Sequence, residues 1–274
     1  MDKAVIVNFH LPDGDRNAGT VHLPDPTSRH PLLIYCHGWG EDGGMGEVQS
    51  KLAQQLLDRG AGLLQFAFYG RGETGGDFSG MTYGRWAENL AAIFAWALTQ
   101  PWVDPDRVAL FGFSSGSAAA LRFAARDPRP RCVVSLGTVL GHFIGMHEAG
   151  GPAKVLLGHL DGLLQGGKAP LFEASFPFAF FRDFLENAPV HSVKNITCPV
   201  FFLEGTADNP YRRSDGQLGH LLRQAHGLKS RHQELEGGVH GLWNLGDERN
   251  RLIVDFLAES GFFSGDVPAD GHGN

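Results

Sequence analysis

Short runs of apolar residues alternate along the chain with longer stretches in which apolar residues recur every three or four positions. The first pattern is typical of buried β-strands and the second of amphipathic α-helices. From residue 31 onward the two patterns alternate, which predicts an α/β fold: a mostly parallel sheet of about eight strands with helices on both faces. The first two runs, joined by the turn-rich Pro12–Gly19, are predicted to pair as an antiparallel hairpin at the sheet edge. The predicted strands are Ala4–Phe9, Thr20–Leu23, Leu32–Cys36, Gly62–Phe68, Val108–Phe111, Cys132–Leu136, Val200–Leu203 and Arg231–Leu235.

The longer stretches carry the signals of helix ends. Glu47–Arg59 places its apolar residues on one face and is followed by Gly60, a typical C-cap residue. Arg85–Thr99 forms a second amphipathic stretch with its own apolar face. Asp247 is predicted to N-cap a last helix, and Gly261 to end it.

The stretch from residue 141 to residue 194 departs from this alternation. We interpret it as a lid insertion over the C-terminal edge of the sheet, with residues 1–140 and 195–262 forming one core and residues 263–274 a flexible tail. The lid contains an aromatic cluster of six phenylalanines: Phe172, Phe176, Phe178, Phe180, Phe181 and Phe184. Packing of lid helices against the core is the favoured role for these residues, and lining of an aromatic or acyl pocket is the alternative.

The charge and the cysteine content exclude several kinds of partner and site. The formal charge is −7, from 30 acidic and 23 basic residues without a basic run, so neither nucleic acid nor an anionic membrane is an expected partner. The first residues lack the pattern of a signal peptide, and no run reaches the roughly 18 apolar residues of a membrane span. These observations predict a cytoplasmic protein. The cysteines, which lack C-x-x-C spacing, are predicted to be small buried side chains: Cys36, Cys132 and Cys198.

The segment Val108–Ala125 has the pattern expected of a catalytic serine. An apolar strand runs into the pentapeptide GFSSG at residues 112–116 and then into a helix of small residues. A G-x-S-x-G pattern between strand and helix is the nucleophile elbow, whose strained turn requires small residues two positions either side of the serine. The turn raises the serine hydroxyl above the sheet, beside a helix N-terminus that favours developing negative charge. Ser114 is therefore the predicted nucleophile.

A serine hydroxyl needs a base, and the base needs a third group that orients it. In this arrangement the acid and then the histidine follow the nucleophile along the chain. Asp208 comes shortly after the strand Val200–Leu203, and His240 follows the strand Arg231–Leu235. Both lie in glycine-containing loops at the carboxyl ends of predicted strands, where open α/β sheets bind ligands. Asp208 and His240 are therefore the predicted acid and base, and capping of the helix after Pro210 is the alternative role for Asp208.

Other residues carry the same chemistry. The competing acids, each out of step with the strand end, are Glu204, Asp215 and Asp161. His37 is a second loop histidine, and holding its own loop by hydrogen bonds is the favoured role for it. A further group of neighbouring residues lacks the H-E-x-x-H spacing of a metal site: His142, His147 and Glu148. No metal and no cofactor are expected.

The negative charge of a tetrahedral intermediate requires two N–H donors. One is expected from the backbone of Ser115, the residue after the nucleophile. The other is expected from the loop that follows the third strand, where the sequence HGWG occupies residues 37–40. We assign this donor to Trp39, with Gly40 as the alternative, because flanking glycines let the backbone approach a substrate.

Together these motifs resemble the α/β-hydrolase superfamily over residues 31–257. The resemblance is carried by five segments in order: HGWG at 37–40, YGRGETGGDF at 69–78 with Thr74 where serine is usual, GFSSG at 112–116, EGTAD at 204–208 and GGVH at 237–240. The layout is most similar to the cinnamoyl and feruloyl esterases and allied serine carboxylesterases, with GGDF…MT at 75–82 and a moderate insertion before the acid strand. The sequence departs from that group at Ser115, where many relatives carry Gln or Met, and at Ser117, which replaces a glycine.

The resemblance implies a carboxylesterase that hydrolyses a small-molecule ester through an acyl-enzyme intermediate. The alternatives that keep the same triad are a thioesterase, a peptidase, a carbon–carbon bond hydrolase and an acyltransferase. A binding protein on a hydrolase scaffold is a further alternative, because a fold does not fix a function. The apolar edges of the lid offer one surface for a homodimer.

Overall fold

The computed structural model of the chain describes residues 5–10, 17–44, 46–141, 152–171 and 174–263. Eight of its strands form one sheet: β1 (Val5–His10), β2 (Ala18–Leu23), β3 (His30–Cys36), β4 (Gly62–Phe66), β5 (Val103–Phe113), β6 (Val133–Leu136), β9 (Val200–Gly205) and β10 (Ser230–Leu235). A separate two-stranded sheet consists of β7 (Lys168–Leu171) and β8 (Ala174–Pro177). The helices are α1 (Glu47–Leu57), α2 (Tyr83–Leu98), α3 (Ser115–Ala124), α4 (Pro152–Gly158), α5 (Leu160–Leu164), α6 (Phe178–Glu186), α7 (Pro210–Ala225) and α8 (Gly246–Glu259).

The order of the strands in the large sheet is β1-β2-β4-β3-β5-β6-β9-β10. The hairpin β1–β2 is antiparallel and lies at one edge, and β2 is also antiparallel to β4, whereas the remaining strands are parallel. This sheet confirms the predicted fold class. It also brings the carboxyl ends of β3, β5, β6, β9 and β10 to the same edge, where the predicted site residues follow their strands.

Alternate residues of the central strands face two separate cores. In β3, Leu32 and Ile34 contribute to the core that contains the apolar faces of α2 and α3. Leu33 and Tyr35 contribute to the opposite core, which contains the apolar faces of α1 and α8. The nearly continuous apolar runs of the parallel strands follow from this burial on both faces.

Several element boundaries differ from the sequence-based ones for identifiable reasons. Strand β4 ends at Phe66, two residues earlier than predicted, because the N–H of Phe68 donates to His37 Nε2 at 2.9 Å and not to a neighbouring strand. Asp247 does not cap the last helix as predicted: α8 begins at Gly246 with Leu245 as its N-cap, and Asp247 lies in the first turn. A carboxylate in that turn interacts favourably with the helix dipole without being the cap.

The described part of the predicted lid segment contains α4, α5, the β7–β8 hairpin and α6. It is held to the core by an ion pair between Arg122 Nη1 and Asp183 Oδ2 at 3.0 Å, in which both side chains are largely buried. Phe172 and residues 142–151, as well as the predicted tail beyond Phe263, lie outside the described residues. Phe263 itself packs in the second core. Within the described ranges, no helix is both long and apolar enough to cross a bilayer.

Candidate active site

Ser114 occupies a strained turn between β5 and α3. Its φ of 51° and ψ of −121° lie in a region that L-residues rarely adopt, at a cost of about 1–3 kcal/mol. A Cβ atom at Gly112 would lie 2.5 Å from Ser117 Cα, and one at Gly116 would overlap the carbonyl oxygen of Cys36. Both neighbours are backbone atoms that cannot move aside. The glycines of the pentapeptide are therefore required by close packing of the elbow against β3 and its own helix.

Ser114, His240 and Asp208 form a continuous chain of hydrogen bonds, although they come from three distant parts of the sequence. His240 Nε2 lies 3.0 Å from Ser114 Oγ, and His240 Nδ1 lies 2.6 Å from Asp208 Oδ2. The Asp208 side chain is 4% exposed and that of His240 27%. A carboxylate facing Nδ1 selects the tautomer that carries its proton there, which leaves the Nε2 lone pair facing the serine hydroxyl. This arrangement can transfer the hydroxyl proton to His240.

The loop after β6 lies against the imidazole of His240. A Cβ atom at Gly137 would lie 2.7 Å from His240 Cε1, so the backbone of this loop forms one wall of the histidine's site. The four N–H groups of residues 138–141 each donate to a side chain of another element. The acceptors are Glu204 Oε1 for residue 138 (3.1 Å), Ser117 Oγ for residue 139 (2.9 Å), and Asp215 Oδ2 for residues 140 and 141 (2.7 and 2.9 Å).

These contacts give the competing acids a structural role. Glu204 and Asp215 hold the loop 138–141 and do not bond to His240 in the structure. Burial raises the pKa of the Glu204 carboxyl well above its ordinary value, and the neighbouring carboxylates act in the same direction. Asp161 lies exposed on α5. Asp208 is thus the carboxylate that meets His240. His142, His147 and Glu148 lie outside the described residues.

The loop after β3, residues 37–41, lies beside the elbow. The N–H of Phe68 donates to His37 Nε2 at 2.9 Å, so Nδ1 carries the proton and donates to the carbonyl of Gly38 at 2.7 Å. Burial lowers the pKa of His37 to about 4, which keeps the imidazole neutral at pH 7. His37 therefore has two hydrogen bonds that fix its own loop, and it has no proton-transfer contact with Ser114 among the hydrogen bonds of the described residues.

Glu41 fixes the same loop from its other end. Its carboxylate accepts hydrogen bonds from the N–H of Gly38 at 2.7 Å and from the hydroxyl of Tyr35 at 2.8 Å. A Cβ atom at Gly38 would lie 3.4 Å from Ser114 Cβ, so this loop lies directly against Ser114. Glu41 is a site residue that was not predicted, and the only signal for it in the sequence is an acid immediately after the HGWG segment.

The two predicted N–H donors belong to segments next to Ser114: Ser115 follows it in the chain, and Trp39 lies in the loop 37–41, whose Gly38 faces it. Ser115 is buried and is the first residue of α3, a position whose N–H has no acceptor within the helix. Trp39 lies in the loop beside Ser114, and its indole packs among lid and core aromatic rings. The ring centroids of Phe78, Phe176 and Phe180 lie 4.9, 5.1 and 5.9 Å from that of Trp39.

Four phenylalanines of the predicted lid are buried, and their rings pack against one another and against neighbouring aromatic residues. Phe176, Phe180, Phe181 and Phe184 are at most 3% exposed. Phe184 also meets the ring of Tyr83 at 5.2 Å. Packing is therefore the role that the structure gives them, as favoured from the sequence, and the contact with Trp39 connects this packing to the loop beside the nucleophile.

Comparison with known protein families identifies the family of this chain. A profile of the X-Pro dipeptidyl-peptidase (S15) family matches residues 13–158, slightly more than half of the sequence. The chain belongs to this family. The matched S15 segment contains the loop 37–41 and the elbow, and it ends before Asp208 and His240. The predicted acid and base of this S15 chain thus rest on the hydrogen bonds described above and not on the family match.

Individual proteins extend the comparison. The chain is 29% identical over 221 residues to an uncharacterized 31.7 kDa protein of the traX–finO intergenic region of Escherichia coli, covering 69% of this chain and 77% of that one. It is 26% identical over 160 residues to the esterase FrsA of Yersinia pestis, covering 50% of this chain and 32% of FrsA. The structure of Est1E from Butyrivibrio proteoclasticus superimposes with a TM-score of 0.73 at 16% identity, over 92% of this chain and 98% of Est1E. The predicted resemblance to the α/β-hydrolase superfamily is confirmed, and the S15 chain has the α/β-hydrolase fold.

Proposed function

We propose that the chain is a serine hydrolase that cleaves carboxylic esters of small to medium or aromatic acids. In this proposal Ser114 is the nucleophile, His240 the base and Asp208 the group that orients it. The observation that carries the proposal is the hydrogen-bond chain from Ser114 Oγ through His240 to Asp208, at 3.0 and 2.6 Å. The strained elbow adds support, because such strain is concentrated at functional sites.

The reaction has two similar halves, in which the acyl group is first transferred to Ser114 and then released by water. Ser114 Oγ attacks the ester carbonyl while His240 Nε2 takes the hydroxyl proton, and the N–H groups of Trp39 and Ser115 hold the resulting oxyanion. When the intermediate collapses, the C–O bond to the alcohol breaks and Nε2 gives its proton to the departing oxygen. Water then attacks the acyl group on Ser114 with the same assistance and releases the acid. No cofactor takes part in these steps.

The relatives support ester hydrolysis, and the family supports a second candidate. FrsA is an esterase, and Est1E is also known with ferulic acid bound, which supports aromatic acids among the substrates. The S15 family is named for X-Pro dipeptidyl-peptidases. The same triad can cleave a peptide bond, with His240 protonating the departing amine.

The hydrogen bonds made by the acids near the triad favour ester hydrolysis over removal of dipeptides. A peptidase that removes dipeptides must recognise a charged N-terminus, and carboxylates are the natural partners of an ammonium group. Asp208 is bound to His240, and Glu204 and Asp215 are bound to the loop 138–141. Among the described residues, these three acids are thus engaged in the site's own framework.

The lid, the class of substrate, the cellular compartment and the oligomeric state are part of the same proposal. Residues 141–194 act as the lid, and the substrate is a small molecule rather than a nucleic acid. The three free cysteines support a reducing compartment such as the cytoplasm. Leu157 and Leu164 are 66% and 62% exposed on α4 and α5 and support a homodimer through this face. Analytical ultracentrifugation of Leu157→Glu against the unmodified chain tests the dimer.

Hydrolysis of p-nitrophenyl butyrate and of Gly-Pro-p-nitroanilide tests the function. We expect turnover of the ester with at most weak cleavage of the anilide. Ser114→Ala should abolish ester turnover, whereas Ser50→Ala, at an exposed serine of α1, should not change it. Efficient cleavage of the anilide would favour the peptidase, and full ester activity in Ser114→Ala would reject the mechanism.

A further inference from the structure

Trp243 is an exposed indole next to the triad histidine. Among the Phe, Tyr and Trp residues whose side chains the structure describes, it is the one exposed residue, with 38% of its surface accessible, and Val239 is 40% exposed on the other side of His240 in the sequence. Single exposed apolar residues are common on protein surfaces, whereas adjacent ones beside a polar group are typical of binding sites.

The backbone between His240 and Trp243 reverses direction through two successive left-handed residues. Gly241 has a φ of 80° and Leu242 a φ of 56°. A Cβ atom at residue 241 would lie 2.5 Å from Cε2 of the indole, so only glycine lets Trp243 fold back over the chain. Leu242 is not a glycine and adopts a conformation that L-residues disfavour, and the burial of its whole side chain offsets this cost. The loop thus maintains a strained conformation that places the indole beside the site.

The indole is supported from within the protein. Its ring lies 5.1 Å from that of Phe113, edge to face at 76°, and Phe113 lies 5.0 Å from the imidazole of His240. The buried guanidinium of Arg249 lies 4.9 Å from the indole centroid and donates to the carbonyl of Gly241 at 3.2 Å. Trp243, Phe113 and His240 therefore form one continuous wall that leads to Ser114, with part of the indole left accessible.

The direction of proton transfer identifies what such a wall would contact. The departing alcohol receives its proton from His240 Nε2, so it lies on the histidine side of the carbonyl carbon. The oxyanion lies on the opposite side, between Trp39 and Ser115. We propose that Trp243 and Val239 form a leaving-group subsite for esters whose alcohol carries an aromatic ring, such as an arylalkyl alcohol. The inference rests on the proposed ester hydrolysis and specifies its substrate class.

Two esters with the same acid test the subsite. 2-Phenylethyl butyrate and ethyl butyrate form the same acyl-enzyme and release alcohols of similar basicity, so they differ mainly in contacts made by the alcohol. We expect Trp243→Ala to lower the ratio of their kcat/KM values, phenylethyl over ethyl, by about tenfold, because the alcohol's ring loses its aromatic contact and part of its buried area. Trp243→Phe, which keeps an aromatic ring, should retain most of the ratio. Ile6→Ala, which truncates an exposed residue on the opposite edge strand, is the control and should leave the ratio unchanged.

Binding without turnover separates this inference from the proposed function. In Ser114→Ala, 2-phenylethanol should quench tryptophan fluorescence, and the quenching should be lost when Trp243 is also changed to Phe. A ratio unchanged in Trp243→Ala, or an equal loss for both esters, would overturn the subsite while leaving ester hydrolysis intact. If the unmodified enzyme hydrolyses neither ester, the proposed function fails, and the fluorescence titration still decides whether the subsite exists: no quenching rejects it.

Discussion

Replacement of Glu204 by glutamine tests whether a neutral carboxylic acid is built into the framework of the site. The Glu204 side chain is fully buried at the end of β9, and its Oε1 accepts the N–H of Thr138 at 3.1 Å. Because burial raises the pKa of Glu204 well above its ordinary value, the folded protein keeps it protonated at pH values where the unfolded chain has lost that proton. Glutamine has nearly the same shape and retains the carbonyl oxygen that Thr138 requires.

The sign of the effect follows from proton linkage. Between the ordinary pKa and the raised pKa of Glu204, the folded state binds one proton more than the unfolded state, so the free energy of unfolding falls as the pH rises. The fall is about 1.4 kcal/mol for each pH unit in that window. Glutamine does not titrate. Glu204→Gln should therefore become more stable relative to the unmodified protein as the pH increases, by up to about 1.4 kcal/mol per unit.

Urea unfolding of both proteins at pH 5, 6 and 7 measures this difference. Glu234→Gln is the matched control, because the hydrogen bonds from Arg213 lower the pKa of Glu234. The contribution of that partly buried surface pair is already complete above the ordinary pKa, so its difference from the unmodified protein should stay constant over the same range and amount to at most about 1 kcal/mol. A difference for Glu204→Gln that does not change with pH would refute the neutral buried carboxyl.

Three further perturbations have defined outcomes. Asp208→Asn should lower kcat for p-nitrophenyl butyrate by about 10⁴-fold with little change in the far-UV circular dichroism, since an amide N–H facing His240 Nδ1 favours the wrong tautomer; a loss below tenfold would contradict this role. Gly116→Ala should destabilise the protein by about 1–3 kcal/mol in urea unfolding, because the added methyl group overlaps the carbonyl of Cys36, and an unchanged midpoint would contradict the close packing. Because the pKa of His37 is lowered to about 4, the unfolded chain takes up its proton first as the pH falls from 6.5, and about 3 kcal/mol of stability should be lost by pH 4; His37→Gln should show a shallower acid transition.

The sequence predicted the parts of the fold and site that depend on local pattern. Apolar runs located the eight strands of the large sheet, because parallel strands buried on both faces leave little room for polar residues. The elbow was predictable because its turn needs glycines at fixed spacing around Ser114, a requirement now visible as backbone overlap at Gly112 and Gly116. Asp208 and His240 were located because topology fixes which loops meet at one edge of the sheet.

Features that depend on contacts between distant residues were not predictable. The acceptors for the N–H groups of residues 138–141 come from three separate elements, and nothing in the spacing of Glu204 or Asp215 indicates that partnership. Strand β4 ends earlier than predicted because His37, which is distant in the sequence, accepts a hydrogen bond from the N–H of Phe68. The exposure of Trp243 depends on two left-handed residues, one of which is a leucine that no turn rule selects.

The most direct test of the central claim is covalent labelling with a fluorophosphonate, followed by intact-mass measurement and peptide mapping. The reagent reacts with a serine hydroxyl only when a neighbouring base activates it. We predict one adduct per chain, on the peptide that contains Ser114, and a loss of labelling in both Ser114→Ala and His240→Ala. An adduct on another serine, or labelling that persists in His240→Ala at the original rate, would contradict the account.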